Sequence, residues 1–301
     1  IAESREVYTW NFVDQKNAKY PESMGISKGI QNISPPLRLF FYPYAQSSVD
    51  FKNGNNPLAA YSAGMDVKYG INNSFTLDAT LIPDFGQVTF DDKELNLSPF
   101  EQEFDENRAF FTEGASLFKK ADGLGFRGGS FFYSRRIGDE IKFNENDILK
   151  ENEEILNYDV KPELLNSIKI TGTTNSGLSV GFINSITNNA YARIINKSTS
   201  EKRKEKIASI TNYNVLSLSK QIINDYSTLS FSNTNVNRAG KFKNSNNSAI
   251  VLDLFDNKRK YNIKGLVYQS NSPKFSLIKG FRGGVNFSEL TGNFRFSLGW
   301  N

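Results

Sequence analysis

Strict alternation of apolar and polar residues recurs along the chain and predicts β-strands. In one of the clearest stretches, Asp66, Lys68, Thr76, Asp78 and Thr80 alternate with an apolar set that comprises Met65, Val67, Tyr69, Ile71, Phe75, Leu77, Ala79 and Leu81. Because successive strand residues point to opposite faces, this stretch has one apolar and one polar face. Asn72, Asn73 and Ser74 lie between its halves and favour a tight turn. The stretch therefore predicts a β-hairpin; if the strands belong to a membrane barrel, the apolar set is expected to face lipid and the polar set a lumen.

Similar alternation continues to the end of the chain and predicts about eleven strands. The predicted strands are 37–44, 65–71, 75–81, 166–174, 177–187, 208–223, 226–237, 247–256, 260–270, 274–288 and 292–301. Short turns alternate with longer polar connections, of which 82–165 and 188–207 are the longest. This layout, with strands of about ten residues, is typical of outer-membrane barrels. A soluble β-sandwich is the alternative, because alternation alone fits both.

The predicted fold class is all-β: an antiparallel up-and-down transmembrane β-barrel with a long plug-like insertion at 82–165. Bacterial single-chain barrels have an even number of strands. A count of eleven leaves the final strand at 292–301 as an unpaired edge. We therefore expect that the barrel is incomplete and that more strands follow in the parent chain.

Composition excludes several classes of site. The 301 residues contain no His and no Cys. They therefore provide no Ser-His-Asp triad, no Cys nucleophile and no zinc or haem site of the usual ligands, and we predict no metal and no cofactor. The 36 Lys and Arg residues against 32 Asp and Glu residues give a net charge of +4. This excess is too small to indicate nucleic-acid binding.

The 82–165 insertion combines phenylalanines with interleaved acids and arginines. A solvated loop would not contain so many rings, so we expect Phe110 and Phe111 to be buried in or over the lumen. Interleaved charges in a partly dry setting are expected to pair. The predicted ion pairs join Arg108, Arg135 and Arg136 to acids such as Asp84, Glu101, Glu106 or Glu113. We also expect Arg135 and Arg136 to lie on a strand, and the charged run 201–206 to be a solvated loop.

Several motifs, taken in order, resemble a family of large bacterial surface barrels of unknown function. The motifs are Asn32-Ile33-Ser34-Pro35-Pro36, Pro43-Tyr44, Gly64–Gly70, Pro83–Val88, Arg108 with Phe110-Phe111 and Glu113-Gly114, and Tyr133–Gly138. Ala109 stands where that family is expected to have proline. Members usually carry an N-terminal module similar to the family 9 carbohydrate-binding domain. The resemblance implies that 1–33 is the end of such a module with its linker, and that 34–301 is a partial barrel in the bacterial outer membrane.

The resemblance also implies a function: binding or passing a glycan or similar nutrient, with the lipid bilayer as a partner and protein partners unknown. The predicted ligand-binding or plug motif comprises Asp84, Gln87, Arg108, Phe110, Phe111, Tyr133, Arg135 and Arg136. The first alternative is a surface hydrolase, because two carboxylates that flank a glycosidic bond can cleave it. Its candidate residues are Glu101, Glu106 and Glu113. The second alternative is a purely structural or assembly barrel.

Overall fold

The computed structural model describes residues 29, 37–50, 58–82, 103–122, 130–271, 279–292 and 295–300. These residues form antiparallel β-structure with almost no helix. The strands are β1 (Leu39–Asp50), β2 (Leu58–Gly70), β3 (Phe75–Leu81), β4 (Glu153–Tyr158), β5 (Leu164–Thr173), β6 (Leu178–Thr187), β7 (Ala190–Asn196), β8 (Lys202–Ala208), β9 (Thr211–Gln221), β10 (Thr228–Arg238), β11 (Ser245–Phe255), β12 (Tyr261–Asn271), β13 (Lys279–Glu289) and β14 (Phe296–Trp300).

Eleven of these strands form one sheet, which confirms the predicted all-β class and strand number. The order is β1-β2-β3-β5-β6-β9-β10-β11-β12-β13-β14, so strands that follow one another in this sheet lie side by side. Asparagine side chains build two of its tight turns. The Asn72 side chain accepts hydrogen bonds from the backbone N–H groups of Ser74 at 2.8 Å and Phe75 at 2.9 Å. Asn224 makes the equivalent bonds to Tyr226 and Ser227, which is the turn chemistry expected of asparagine.

The sheet has two open edges, and no closed barrel is found in the described part of the chain. Within these ranges β1 pairs only with β2, and β14 pairs only with β13. The expectation that the final strand has one unpaired side is confirmed for Phe296–Trp300.

A second sheet contains three strands, in the order β4-β7-β8. These strands lie almost wholly within the predicted connections 82–165 and 188–207, and the expectation of a solvated loop at 201–206 was wrong. Most of that run belongs to β8. Alternation of apolar and polar residues does not reveal this strand, because its first five residues are charged and only Ile207, near its end, is a buried apolar residue. Ile207 packs with Ala190, Ala192 and Ile194 in a small core of this sheet.

Helical structure in the described ranges is limited to short segments within the insertion. Ala109–Thr112 forms one α-helical turn, and Ala115–Phe118, Ser134–Arg136 and Glu145–Asp147 form 3-10 turns. The expectation of a strand at Arg135 and Arg136 was therefore wrong: the backbone turns at Ser134, and the Ile137 N–H donates to the Ser134 carbonyl at 2.9 Å. No helix in these ranges is long and apolar enough to span a membrane.

The eleven-stranded sheet has one protected face, which buries many polar side chains together with Ile183, Val215, Ala249, Val251 and Leu266, and one face that exposes apolar side chains. The buried polar set includes Asp78, Thr80, Ser167, Lys169, Ser185, Ser217, Ser219, Ser230 and Ser232. The exposed apolar set includes Leu81, Ile168, Phe231, Ile250, Val267, Val285, Leu298 and Trp300. In the predicted hairpin, Asp78 and Thr80 are buried whereas Leu81 is 48% exposed. The exposed face therefore differs from that of a soluble sandwich, whose outward-facing residues are polar.

On the exposed face, the register aligns one row of residues across the sheet, and the side chains in this row change from apolar to amide. The register aligns, from β2 to β12, Val67, Ala79, Ile168, Asn184, Asn214, Asn235, Asn246 and Asn271. Two of the amides bond directly, since the Asn184 side chain donates to Asn214 Oδ1 at 2.8 Å. A single row thus passes from an apolar zone into a zone of asparagines.

The boundary between these two zones shifts along the strands. On β5 it lies between Ile168 and Asn166, and on β10 it lies between Phe231 and Asn233. The register places Asn166 in the row of Asn237, so the boundary has moved by four residues over three strand spacings. On β11 and β12 it stays in the row of Asn233, whose neighbours there are Ser248 and Gln269. From β5 to β12 the apolar zone is therefore slanted relative to the strands, whereas on β13 the exposed Phe281 lies in the row of Gln269.

Candidate functional site

The described parts of the insertion pack against the polar face of the main sheet. The Phe118 ring lies on Gly181 of β6, where an added Cβ would come within 2.9 Å of the ring. The Ser217 hydroxyl on β9 donates to the Leu117 carbonyl at 2.7 Å. Further along the insertion, Phe131 packs edge-on against Tyr268 of β12, with ring centroids 5.8 Å apart. The insertion therefore buries its rings on several strands of the sheet.

Phenylalanines of the insertion form the main apolar core. Phe110 and Phe111 meet edge to face, with centroids 4.9 Å apart, and Phe111 is buried. The buried core comprises Phe111, Phe118, Ile137, Leu164, Ile183 and Val215. The expected burial is confirmed for Phe111, and Phe110 is partly buried against the same core.

A buried lysine joins this core to the sheet. Lys169 on β5 is 1% exposed, and its ammonium lies 3.2 Å from Asp78 Oδ2 on β3. The ammonium also donates to the backbone carbonyls of Phe110 and Glu113, the latter at 3.0 Å. Lys68 on β2 pairs with the Glu113 carboxylate. Its hydrogen bond is the largest influence on the pKa of Glu113, which is lowered although burial acts in the opposite direction.

Arg108 and Glu106 form the ion pair that the sequence predicted. Arg108 Nε and Nη2 donate to the two carboxylate oxygens at 2.8 and 2.7 Å. The guanidinium also donates to the carbonyls of Ser134 and Ile137, and it lies 4.3 Å from the Phe111 ring centroid. Burial alone would raise the pKa of Glu106, but the hydrogen bonds and charge of Arg108 outweigh it and lower the pKa.

The structure places three further predicted residues around the same turn. The Tyr133 hydroxyl accepts a hydrogen bond from the Phe104 N–H at 3.0 Å. Arg135 donates to the Asp105 carbonyl through Nε at 2.8 Å. Arg136 lines a neighbouring cavity. The predicted residues Asp84, Gln87 and Glu101 lie outside the described residues.

That cavity has a volume of about 980 Å³. It lies between the 3-10 turns of the insertion, the three-stranded sheet and the ends of β6, β9 and β10. Its polar floor comprises Thr187, Ser209, Thr211 and Tyr213. Thr211 donates its hydroxyl to the Ser209 carbonyl at 2.8 Å, and Tyr213 hydrogen-bonds Thr187. Sequence reasoning missed this cavity, because its floor and its walls come from segments that only the fold brings together.

The comparison with protein families gives one match. Residues 35–301 match DUF5916, which is described as a domain of unknown function. The chain belongs to the DUF5916 family. Comparisons with curated proteins and with solved structures give no match. The DUF5916 match agrees with the resemblance to a family of unknown function.

Glu106 and Glu113, two of the hydrolase candidates of this DUF5916 chain, are both held by cationic partners. A glycosidase acid needs a raised pKa, whereas the pKa values of Glu106 and Glu113 are both lowered by their cationic partners. Asp122 has a pKa raised by burial, but its Oδ1 accepts the Phe131 N–H at 2.6 Å at a packing contact. No group of three or more acids placed to hold a metal ion occurs among these residues.

Proposed function

We propose that this DUF5916 chain forms part of the wall of a bacterial outer-membrane β-barrel and binds a glycan or similar nutrient. The observation that carries the membrane part is the exposed apolar face of the main sheet. Ser230 is 3% exposed on the protected face, whereas its neighbour Phe231 is 36% exposed on the other. In water this arrangement leaves the apolar surface exposed, whereas in a bilayer it places apolar side chains against lipid.

The slant of the apolar zone supports the same proposal. A shift of four residues over three spacings is about 13 Å along the strands against about 14 Å across them. The slant is therefore about 40° over these three spacings, and about 30° when the two flat spacings to β11 and β12 are included. Barrel strands tilt by about 35 to 45° from the membrane normal. A membrane plane that cuts tilted strands would produce such a boundary, with the asparagines at the level of the headgroups.

The insertion then occupies the lumen side of the sheet. Its contacts with Lys169, Gly181 and Ser217 all lie on the protected face. Closure of the barrel requires partners for the open edges of β1 and β14, because unpaired strand groups are costly in hydrocarbon.

The cavity above the strand ends supports binding of a polar ligand. It combines hydroxyl groups with the rings of Phe143, Tyr213 and Phe242, which is a usual composition for small-molecule sites. A structural barrel is the second candidate function. It is favoured by the pairing of Lys169 with Asp78 and of Arg108 with Glu106, since paired charges of this kind hold an insertion in place.

Single cysteines test the membrane part cleanly, because the chain has no Cys of its own. We would place them at Phe231, Ile250 and Asn237 of protein reconstituted in liposomes. A membrane-impermeant maleimide should label Asn237→Cys rapidly, and the other two at least about tenfold more slowly, because thiols in hydrocarbon are poorly ionised and inaccessible.

A lipid-soluble maleimide serves as the control for reactivity, and detergent-solubilised protein serves as the control for exposure. Labelling of the Phe231 and Ile250 variants by the impermeant reagent in liposomes as fast as that of Asn237→Cys would contradict the membrane part.

For the ligand part, calorimetric titration with neutral and acidic oligosaccharides should give saturable binding. The absence of binding to every oligosaccharide would favour the structural barrel.

A further inference from the structure

The cavity beneath the three-stranded sheet has more basic than acidic side chains in its walls. The basic residues are Arg136, Lys142, Lys206, Arg238 and Lys241, and the acidic residues are Asp139, Glu140 and Asp147. Lys206 makes no ion pair within the described ranges, and Lys241 lies 3.9 Å from its partner Glu205. The walls therefore hold positive charge that attracts an anion.

The floor of the cavity holds a hydroxyl group that lacks a partner. Ser209 is 2% exposed, and its Oγ makes no hydrogen bond within the described part of the chain. Buried hydroxyls are almost always hydrogen-bonded, and an unpaired one is destabilising. A ligand hydroxyl or carboxylate at this position would supply the missing bond. The neighbouring hydroxyls of Thr187 and Thr211 already make hydrogen bonds, to Tyr213 and to the Ser209 carbonyl. The Ser209 hydroxyl is therefore the one of these three that a ligand could bind as a first partner.

We propose that this cavity binds an acidic saccharide, whose carboxylates face the basic wall and whose hydroxyls reach Ser209. The proposal rests on the glycan-binding part of the proposed function, and it adds the site and the charge class of the ligand. Tyr213, Phe143 and Phe242 supply ring faces for the apolar side of a sugar. A volume of about 980 Å³ lies at the upper end of ligand pockets and accommodates more than one sugar ring.

Calorimetric titration of the whole chain in detergent tests this proposal. The probes are galacturonic acid trimer, its fully methyl-esterified form and inorganic phosphate. The test variants are Lys206→Gln and Ser209→Ala. The matched control is Lys204→Gln, since Lys204 is an exposed lysine on the same strand that does not line the cavity. Circular dichroism confirms that each variant is folded.

We expect the acidic trimer to bind, and the ester to bind at least about tenfold more weakly, because the ester lacks the charges that meet Lys206. Lys206→Gln should weaken binding of the acidic trimer about tenfold and Ser209→Ala about fivefold, whereas Lys204→Gln should leave it unchanged.

Different results would overturn different parts of this proposal. Equal binding of ester and acid would overturn the charge class while leaving the glycan function in place. Failure of both trimers to bind would overturn this inference, and the glycan function would be overturned with it only if the neutral oligosaccharides also fail to bind. Phosphate binding as tight as that of the acidic trimer would reduce the site to an adventitious ion only. An equal loss in Lys204→Gln and Lys206→Gln would place the ligand elsewhere.

Discussion

Lys169 and Asp78 form an ion pair of 3.2 Å on the protected face of the sheet, where the lysine side chain is 1% exposed. The lysine comes from β5 and the aspartate from β3, two strands that pair directly in the register Asp78–Lys169. The same ammonium donates to the backbone carbonyls of Phe110 and Glu113. One side chain therefore joins two strands and the insertion.

Loss of this lysine should loosen the insertion. Lys169→Ala removes the nearer cation of Asp78, leaving Lys68 at 3.9 Å, and it removes two hydrogen bonds to the insertion. We therefore expect a loss of about 3 kcal/mol in the free energy of unfolding. Limited proteolysis should then cut the insertion before the sheet. Lys204→Ala, at an exposed site, is the control and should change neither result. Unchanged protection of the insertion in Lys169→Ala would show that other contacts hold it.

Gly181 and Gly265 provide a matched pair for testing how the insertion packs. Both are strand glycines, but a Cβ at Gly181 would meet the Phe118 ring at 2.9 Å, whereas a Cβ at Gly265 meets nothing within 4 Å. Gly181→Val should cost about 1 to 3 kcal/mol through overpacking, and Gly265→Val should be nearly neutral. Denaturant unfolding of the two variants measures the difference. Equal losses would mean that Phe118 does not rest on β6.

The Glu153–Arg203 pair makes the three-stranded sheet sensitive to acid. Arg203 donates to both carboxylate oxygens of Glu153, at 2.8 and 2.6 Å, and this lowers the pKa of Glu153 from 4.5 to about 2. Because the folded pKa is the lower one, the stabilisation is complete above about pH 4.5 and is lost as the pH falls towards 2. The difference in urea midpoint between the wild type and Glu153→Gln should therefore shrink over that interval.

Glu154 supplies the control for this experiment, since it makes an exposed pair with Lys197. Glu154→Gln should shift the urea midpoint little at any pH, because exposed ion pairs contribute little. A constant difference between the wild type and Glu153→Gln from pH 6 to pH 2 would show that the Arg203 pair does not stabilise the sheet.

The Arg108–Glu106 pair separates a structural from a catalytic role. Arg108→Ala leaves a carboxylate that is 15% exposed without its cation, so we expect about 3 kcal/mol or more of destabilisation and a lower yield of folded protein. Arg108→Lys keeps the charge but loses the two parallel hydrogen bonds to Glu106, so its free energy of unfolding should lie between those of the wild type and Arg108→Ala. A variant that folds with normal yield yet loses the hydrolysis of a glycan would favour the surface hydrolase instead.

Much of the sheet could be predicted from sequence, because its strands alternate in polarity residue by residue. The hairpin of β2 and β3 follows from Met65 to Leu81 alone, and the pairing of Arg108 with Glu106 follows from two opposite charges two residues apart. β8 could not be found in this way, because its first five residues are all charged and give it no alternation of apolar and polar positions. The contact of Lys169 with the Phe110 carbonyl joins residues 59 positions apart, so no local pattern predicts it. Ser209 belongs to no sequence motif, and its place in the cavity is known only from the fold.

The central claim is that the slanted apolar zone of the sheet lies in hydrocarbon. Ala79 and Asn246 test it most directly, because the register places them in one row, on β3 and β11. Spin labels on single cysteines at these two positions, in liposomes, report collision with oxygen and with a water-soluble nickel complex. We expect the label at Ala79 to collide mainly with oxygen and the label at Asn246 to collide mainly with the nickel complex. Equal nickel accessibility at both positions would contradict this claim.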